Sequence, residues 1–342
     1  MKKITQKEIA KKIGVSQTTV SAVLNNNDNI RISNELKKKI LEIVSETGYW
    51  QYKKKNKTGK IAYLVPSYAT LPTSDPYFYR FYSGILGVIK SNKINLVLYH
   101  LDEKEILFRK DILENFDGII IEERVEDEIV ERLKEIKPVV FLNYTSDISV
   151  DSVMPDNKGG IIKAVKYLYE RGHTRIGFYG MRPFRIHQEE RWEGYKEGLK
   201  ILGLKYKEVY VILPERIVGG YEELDNYSKK ALKTWMDLKD RPTAIVTLGD
   251  VYALSLIKQA VKLGIRIPED LSIIGFDNTT QCELIHPSLT SINQPMEEMG
   301  KRAVELLIER IKNPDKKIEK VRFEVEIIER ESVFNLNKEV KI

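Results

Sequence analysis

Gln17-Thr18-Thr19-Val20-Ser21-Ala22-Val23-Leu24-Asn25 is the stretch from which the rest of this chain can be read. Val20, Val23 and Leu24 fall at i, i+3 and i+4, while Thr18, Ser21, Ala22 and Asn25 fall at i, i+3, i+4 and i+7. A helix here therefore has an apolar side and a side of small polar groups. Upstream, Thr5 and Glu8 have capping-box spacing, so a first helix should begin near Gln6 and end near Ile13, with Ile9, Ala10 and Ile13 as its buried stripe. Gly14 can take the left-handed conformation of a tight turn, Val15 plugs that turn, and Ser16 is placed to cap the second helix. A third helix is expected from about Ser33 to Thr47, where Leu36, Ile40, Ile43 and Val44 recur at helical spacing before Gly48. Two helices joined by such a turn form a helix-turn-helix, whose second helix enters the major groove of duplex DNA. Gln17 is the strongest base reader, because an amide can bond an adenine edge in two places. Ser16, Thr18, Thr19, Ser21, Ala22 and Asn25 join it on the second helix, Ala22 by touching a thymine methyl, with Thr5 and Gln6 at the start of the first.

Charge points the same way. Residues 1–60 hold 14 Lys and Arg against 5 Asp and Glu, whereas the remainder holds 42 against 45, so the overall +6 hides a basic head on a mildly acidic body. Phosphate neutralisation releases counterions, and such a head is the electrostatic footprint of a nucleic-acid partner. Lys53, Lys54 and Lys55 are assigned to DNA phosphates, although a lysine run taken alone could be solvated surface. The expected organisation is a head over 1–49, a short basic linker over 50–60 and a body over 61–342.

The body is long enough for two lobes. With 42% apolar and 31% charged residues the composition is that of an ordinary globular protein. Nothing in the sequence reads as a membrane span, and Met1-Lys2-Lys3-Ile4-Thr5 runs into a polar helix without an export-type apolar stretch, so the expected compartment is the cytoplasm. The single cysteine, Cys282, excludes a disulfide framework and a multi-cysteine zinc site. His100, His173, His187 and His286 have no metal-ligand spacing, and there is no nucleophile elbow or phosphate-binding glycine loop. No cofactor, metal or enzymatic activity is expected. Short apolar runs alternate with helical stretches: Ile61–Val65, Leu96–Tyr99, Gly118–Ile121 and Val139–Leu142, then Ile176–Tyr179, Val209–Leu213, Ala244–Leu248 and Leu271–Phe276. Helices in the second series are expected up to about Arg171 and over Arg191–Leu202, Tyr221–Met236 and Val251–Leu263. This is α/β architecture, two doubly wound parallel sheets behind a three-helix head. Lobe one is expected to take about 61–156 with 290–315, and lobe two 157–289 with 318–335. Ligands bind such sheets beyond the carboxyl ends of the strands, which makes the cleft between the lobes the expected binding site.

The chain resembles the LacI/GalR transcriptional regulators. The resemblance is carried by Val15 to Asn25 and Glu46-Thr47-Gly48-Tyr49, and continues through Asp117-Gly118-Ile119-Ile120, Asp156-Asn157-Lys158-Gly159-Gly160, Arg171-Gly172-His173 and Arg191-Trp192-Glu193-Gly194-Tyr195. It closes with Gly264-Ile265-Arg266-Ile267-Pro268, Ile274-Gly275-Phe276-Asp277-Asn278, His286-Pro287-Ser288-Leu289-Thr290-Ser291-Ile292 and Ile328-Glu329-Arg330-Glu331-Ser332, in order from residue 4 to about 333. It implies a homodimeric repressor that binds a palindromic double-stranded operator and carries a periplasmic-binding-protein-like effector body. The implied effector is a sugar and the implied targets are carbohydrate-use genes. A purine- or nucleoside-responsive regulator is the alternative, ahead of a solute-binding protein or a sugar-acting enzyme.

Within the body, Arg191 matches the family arginine that reaches ligand oxygens, and a planar guanidinium suits paired acceptors. Asp277 and Asn143 follow strands, Asn143 where relatives often carry Asp. Asp75, Tyr77 and Phe78 are expected on the opposite rim, with aromatics available to stack on a sugar ring. Asp250 completes the effector set; Asp277 with Asp250 or Asp75 is also the carboxylate pair that an enzyme would need. The structural readings remain open at this point: Arg191 bridged to a carboxylate, Asp277 capping a turn, Phe78 in the core. The sequence also departs from the family. Trp50 to Lys60 is short, lysine-rich and without the Pro, Ala and Leu of the usual hinge helix, so it should hold phosphates and provide no apolar minor-groove wedge. Ser67–Ser74 is long, and the short lysine-rich hinge is most like the galactoside-responding branch.

Overall fold

The computed structural model describes residues 4–24, 32–47, 59–65, 76–100, 115–122, 125–215 and 220–338. Asn25, Trp50, Lys53, Lys54, Lys55, the stretch 67–74 and Asp75 lie outside the described residues.

Three helices build the head: α1 (Gln6–Ile13), α2 (Gln17–Leu24) and α3 (Asn34–Glu46). Thr5 and Glu8 cap α1 reciprocally, the Thr5 hydroxyl accepting from the Glu8 N–H at 3.3 Å and the Glu8 carboxylate accepting from the Thr5 N–H at 2.7 Å. Gly14 ends the helix at φ 76°, where a side chain would be strained. Ser16 caps α2 by accepting from the Thr19 N–H at 3.0 Å, and Ser33 caps α3 by accepting from the Leu36 N–H at 3.2 Å. Ile9, Ala10, Val20, Val23, Leu24, Ile40 and Val44 close a small core between the three.

The body forms two units, each with its own six-stranded sheet. The first contains β1 (Lys60–Val65), α4 (Pro76–Asn92), β2 (Asn95–His100), β3 (Gly118–Ile121), α5 (Asp127–Ile136), β4 (Val139–Leu142) and β5 (Asp151–Pro155). Its sheet is completed by β11 (Lys320–Phe323), in the order β11-β5-β4-β3-β1-β2, with the pairs from β5 to β2 parallel. Ala62, Leu64, Ile119, Ile121, Val139 and Phe141 alternate onto one face and meet Ile129, Val130 and Leu133 of α5. On α4, Gly84 permits a very close helix crossing. A Cβ built there would lie 1.9 Å from the Glu297 carbonyl oxygen of α11 (Met296–Lys312), and one built on Gly300 would lie 2.3 Å from the Phe81 carbonyl oxygen. Below α11, Arg310 grips the buried Asp151 in two places, at 2.9 and 3.0 Å, and its remaining N–H groups hold the carbonyls of Pro314, Lys316 and Lys317.

The second unit runs through α6 (Asn157–Glu170), β6 (Ile176–Tyr179), α7 (Ile186–Ile201), β7 (Val211–Ile212), α8 (Gly220–Met236), β8 (Ala244–Thr247), α9 (Asp250–Leu263) and β9 (Ser272–Asp277). After a single turn, α10 (Gln281–Leu284), come β10 (Thr290–Asn293) and β12 (Glu326–Ile328). The order is β12-β10-β9-β8-β6-β7, parallel except for the β10–β12 pair. Strand residues alternate between two cores: Phe178, Val246 and Phe276 face Ile161, Val165 and Tyr195, whereas Tyr179, Ile245 and Ile273 face Leu232, Trp235 and Leu256.

Within each unit the first four strands and the fifth follow one plan, 2-1-3-4-5 in order of appearance. The reversal lies between β1 and β3 in one unit and between β6 and β8 in the other. Several expectations need correction here. Residues 290–295 belong to the second unit, because β10 pairs in parallel with β9, and 318–321 belong to the first, because β11 joins its sheet. The strand expected over Val209–Leu213 is a 3-10 turn, Glu208–Tyr210, followed by two strand residues. Helix α7 begins five residues before Arg191. Strand β5 was not expected, since Asp151-Ser152-Val153-Met154-Pro155 mixes polar and apolar groups; it is buried because Arg310 satisfies Asp151.

Candidate functional site

In the head, Thr5, Ser16, Gln17 and Thr18 are exposed, and Gln6, Thr19 and Ser21 are half-buried. Capping commits the hydroxyls of Thr5 and Ser16, which leaves Gln17 and Thr18 as the long and short polar groups at the leading end of α2. Ala22 must be withdrawn from the DNA-contacting set. It is 5% exposed, because Val20, Ala22, Val23 and Leu24 bury the second turn of α2 on more than one side, so its methyl is not presented to a base.

In the second unit, Arg191 projects from α7 and is 4% exposed. Its Nε donates to Asn157 Oδ1 at 2.9 Å, Nη1 to the Leu248 carbonyl at 2.7 Å and Nη2 to Asp277 Oδ1 at 3.1 Å. The guanidinium lies over the Phe276 ring, 3.7 Å from its centroid. Arg191 thus joins the start of α6 to the ends of β8 and β9. A guanidinium has five N–H groups, so two remain beyond these three contacts. Asp277 Oδ1 also accepts from Gln294 Nε2 at 2.7 Å. Burial pushes the Asp277 carboxyl up to about 7 against the pull of Arg191, with nearby Asp250 adding to the rise. Gly249, next to Leu248, is extended and lies against the pair: a Cβ there would lie 3.1 Å from Asp277 Oδ2 and 3.7 Å from Arg191 Nη1. The bridging reading of Arg191 and Asp277 is thus what the geometry contains.

Asp250 is different. It is 1% exposed and its carboxylate takes the Ser291 hydroxyl at 2.6 Å, the Thr279 N–H at 2.7 Å and the Cys282 thiol at 3.1 Å. Those contacts tie α9 to the loop after β9 and to β10, so Asp250 is a strut of the second sheet and is withdrawn from the effector set.

In the first unit, Asn143 follows β4 and is 9% exposed, with a left-handed backbone at φ 56°. Its Nδ2 donates to Tyr77 Oη at 2.7 Å, and its buried Oδ1 accepts no hydrogen bond from the described residues. Tyr77 packs edge-on against Phe78 and Phe81 at 5.2 and 5.6 Å. Phe78 is half-buried, so it packs within its unit without being wholly enclosed. Nearby, Tyr63 donates to the buried Glu122 immediately after β3, and burial together with that carboxylate holds the phenol well above its usual range. Glu122, Asn157, Gln294 and Tyr63 were missed. Glu122 was accessible to the rule that found Asn143, since it directly follows an apolar strand, whereas Gln294 follows an unpredicted one. Of the four non-glycine residues with positive φ among those described, three, Asn143, Asp277 and Asn278, sit at strand ends. Strain of this kind clusters at binding sites.

The family description "Bacterial regulatory proteins, lacI family" matches residues 5–51, and "Periplasmic binding protein-like domain" matches 165–333. The NTD biosynthesis operon regulator NtdR of Bacillus subtilis is 34% identical to this chain over 89% of it and 92% of the relative. The chain belongs to the LacI family of bacterial regulatory proteins. The HTH-type transcriptional repressor CytR of Escherichia coli is 32% identical, covering 90% of this chain and 89% of its own. A crystal structure of a LacI family transcriptional regulator from Enterococcus faecium with bound ribose superposes with a TM-score of 0.69 at 27% identity, over 81% of this chain and 99% of that one. The chain is accordingly a DNA-binding transcriptional regulator with an α/β, periplasmic-binding-protein-like ligand-binding body behind its helix-turn-helix head. No described helix is long and apolar enough to cross a membrane.

Proposed function

We propose that this LacI-family protein is a cytoplasmic repressor of carbohydrate-use genes, that it binds a palindromic operator as a homodimer, and that a sugar carrying adjacent hydroxyls changes its operator affinity. The carrying observation is the Arg191–Asp277 pair. A cationic donor with two further N–H groups lies 3.1 Å from a carboxylate, so donor and acceptor stand side by side as two neighbouring ring hydroxyls require. Asn143 and Tyr77, with Phe78, are the first-lobe groups assigned to the effector. The ribose-bound relative supports a pentose over the galactoside named by the hinge comparison. In the head, Gln17 and Thr18 are the groups assigned to base edges, with Lys53, Lys54 and Lys55 assigned to phosphates. The homodimer is supported by apolar side chains left exposed at heptad spacing on α4, Tyr79 at 50% and Leu86 at 40%, and by Leu284 at 84% in the second lobe.

A sugar-hydrolysing enzyme is disfavoured by Asp250, whose carboxylate is committed to three internal donors and so is not poised as a second acid beside Asp277, while Asp75 lies outside the described residues. The deciding experiment is a fluorescence-anisotropy titration of a labelled operator with and without D-ribose, other monosaccharides and nucleosides. A shift of at least tenfold with one sugar is expected, and reciprocity requires operator DNA to change that sugar's affinity by the same factor. Unchanged operator affinity across the panel defeats the effector reading while leaving DNA binding intact.

A further inference from the structure

Asn157, the first residue of α6, is fully buried, and its amide stands between two groups of opposite demand. Its Oδ1 accepts from Arg191 Nε at 2.9 Å, and its Nδ2 donates to Glu190 Oε2 at 3.1 Å. A guanidinium can only donate and an ionised carboxylate can only accept, so Glu190 is what turns the amide oxygen toward Arg191. Without that carboxylate, a half-turn of the amide would set donor against donor. Glu190 is held in turn by Arg322, whose Nη1 and Nη2 donate to its two oxygens at 3.2 and 2.5 Å. Arg322 lies on β11, where the chain passes from the first unit to the second. Its side chain is 48% exposed, and an ion pair so open to solvent contributes little to stability. What the two-pronged grip does fix is the plane of the carboxylate.

We propose that Glu190 and Arg322 are positioning residues for Arg191: Arg322 clamps Glu190, Glu190 orients the Asn157 amide, and the Asn157 oxygen holds the guanidinium against Asp277. The relay ties Arg191 to the strand on which the chain leaves the first sheet. Its bearing on the effector rests on the reading that a sugar binds at Arg191 and Asp277. The alignment also has a reporter that needs no ligand. Arg191 pulls the Asp277 carboxyl down against burial and Asp250, so loosening the guanidinium lets that carboxyl rise.

The test reads Asp277 and D-ribose in the same variants of the full-length protein. Carbon NMR of protein labelled at its aspartate carboxyls, with the Asp277 resonance assigned by its loss in D277N, gives the titration midpoint of that group. Glu190→Leu should raise the midpoint by about half a pH unit or more. Losing a negative charge would by itself lower it, so a rise reports misplacement of Arg191. Glu190→Gln, which keeps an acceptor oxygen for Asn157, should not raise it. Asn157→Asp in the E190L background supplies an acceptor whichever way the side chain turns, and should bring the midpoint back toward wild type. Arg322→Met should raise the midpoint but add nothing in the E190L background, where a mere field effect would persist. Calorimetric affinity for D-ribose should fall about tenfold in E190L and recover in N157D/E190L. The proposal is overturned if E190L leaves the midpoint unchanged or lowers it, if N157D/E190L titrates as E190L does, or if R322M acts equally in both backgrounds. If wild type does not bind D-ribose while the midpoints move as stated, the pentose reading fails and the positioning stands. Thermal unfolding identifies any variant that misfolds, and should E190L do so, Glu190→Ala takes its place with the same expectations.

Discussion

Replacing Arg191 by Met keeps an unbranched stem against Phe276 and removes the guanidinium. The change leaves Asp277, whose side chain is 12% exposed, without its charged partner, and strips one contact each from Asn157 Oδ1 and the Leu248 carbonyl. Breaking a buried ion pair from one side costs about 3–5 kcal/mol. An orphaned neutral acceptor adds roughly 1 kcal/mol. The expected loss is on the order of 4–6 kcal/mol, or roughly 10–20 °C in Tm for a unit of this size. Because Arg191 pulls the Asp277 carboxyl down, its removal raises that group further, so Asp277 takes up a proton more readily and the penalty should be smaller at pH 6 than at pH 8. Asp277→Asn removes the stranded charge, and R191M with D277N together should recover at least about 2 kcal/mol relative to additivity. The assay is urea unfolding of the full-length protein and its three variants at both pH values, followed by circular dichroism. Additive effects, or an R191M cost below about 1 kcal/mol, would refute the claim that this pair organises the second lobe.

Three further outcomes follow from the geometry. Gln17→Ala should relax operator specificity at one base pair by about 1–3 kcal/mol with the salt slope unchanged, as read by anisotropy titrations on single-base operator variants across ionic strengths. Gly84→Ala must move α4 off the Glu297 carbonyl, since the added methyl would sit 1.9 Å from that oxygen, and should destabilise the first lobe by about 1–3 kcal/mol or more in the same urea assay. His173, buried between Thr243 and the Phe334 carbonyl, is held below its usual range chiefly by burial, and His187 is shifted the same way. The unfolded chain thus binds protons more readily at both sites. Their contribution to stability is complete above about pH 6.5 and is lost as pH falls below it, and replacing both by Gln should flatten the stability profile between pH 7 and 5.

The head was legible because every device in it is local. Thr5 and Glu8, Gly14, Ser16 and Ser33 act within four residues of themselves, so spacing alone locates the three helices. Ala22 escaped because periodicity assigns a face without saying how wide the buried sector is, and in an eight-residue helix the second turn is enclosed on more than one side. The parallel strands were legible as short apolar runs. Strand β5 and the true point of crossing near residue 295 were not, because each depends on a partner far away in sequence, Arg310 for Asp151 and β9 for β10.

For the ligand groups, the strand-end rule treats unlike residues alike. It selects Asn143, Asp250 and Asp277 on position, and position is all that a sequence offers. What separates them is hydrogen-bond capacity set against partners supplied in the fold. Asp250 receives three donors from Thr279, Cys282 and Ser291, a set drawn from the loop after β9, α10 and β10, which meet Asp250 only in the folded unit. Asn143 has one donor engaged and a buried acceptor with no described partner, on a backbone twisted into the left-handed region. A buried polar atom left unpaired costs about 1–3 kcal/mol. A strut has no reason to carry that cost, whereas a ligand-binding group is relieved of it when the ligand arrives. By the same accounting, Arg191 keeps two N–H groups after bridging three elements, and a residue can therefore be both strut and receptor. The proposed effector role, set beside these internal contacts, predicts that effector binding and second-lobe stability will rise and fall together across substitutions at Arg191, Asp277 and Gln294.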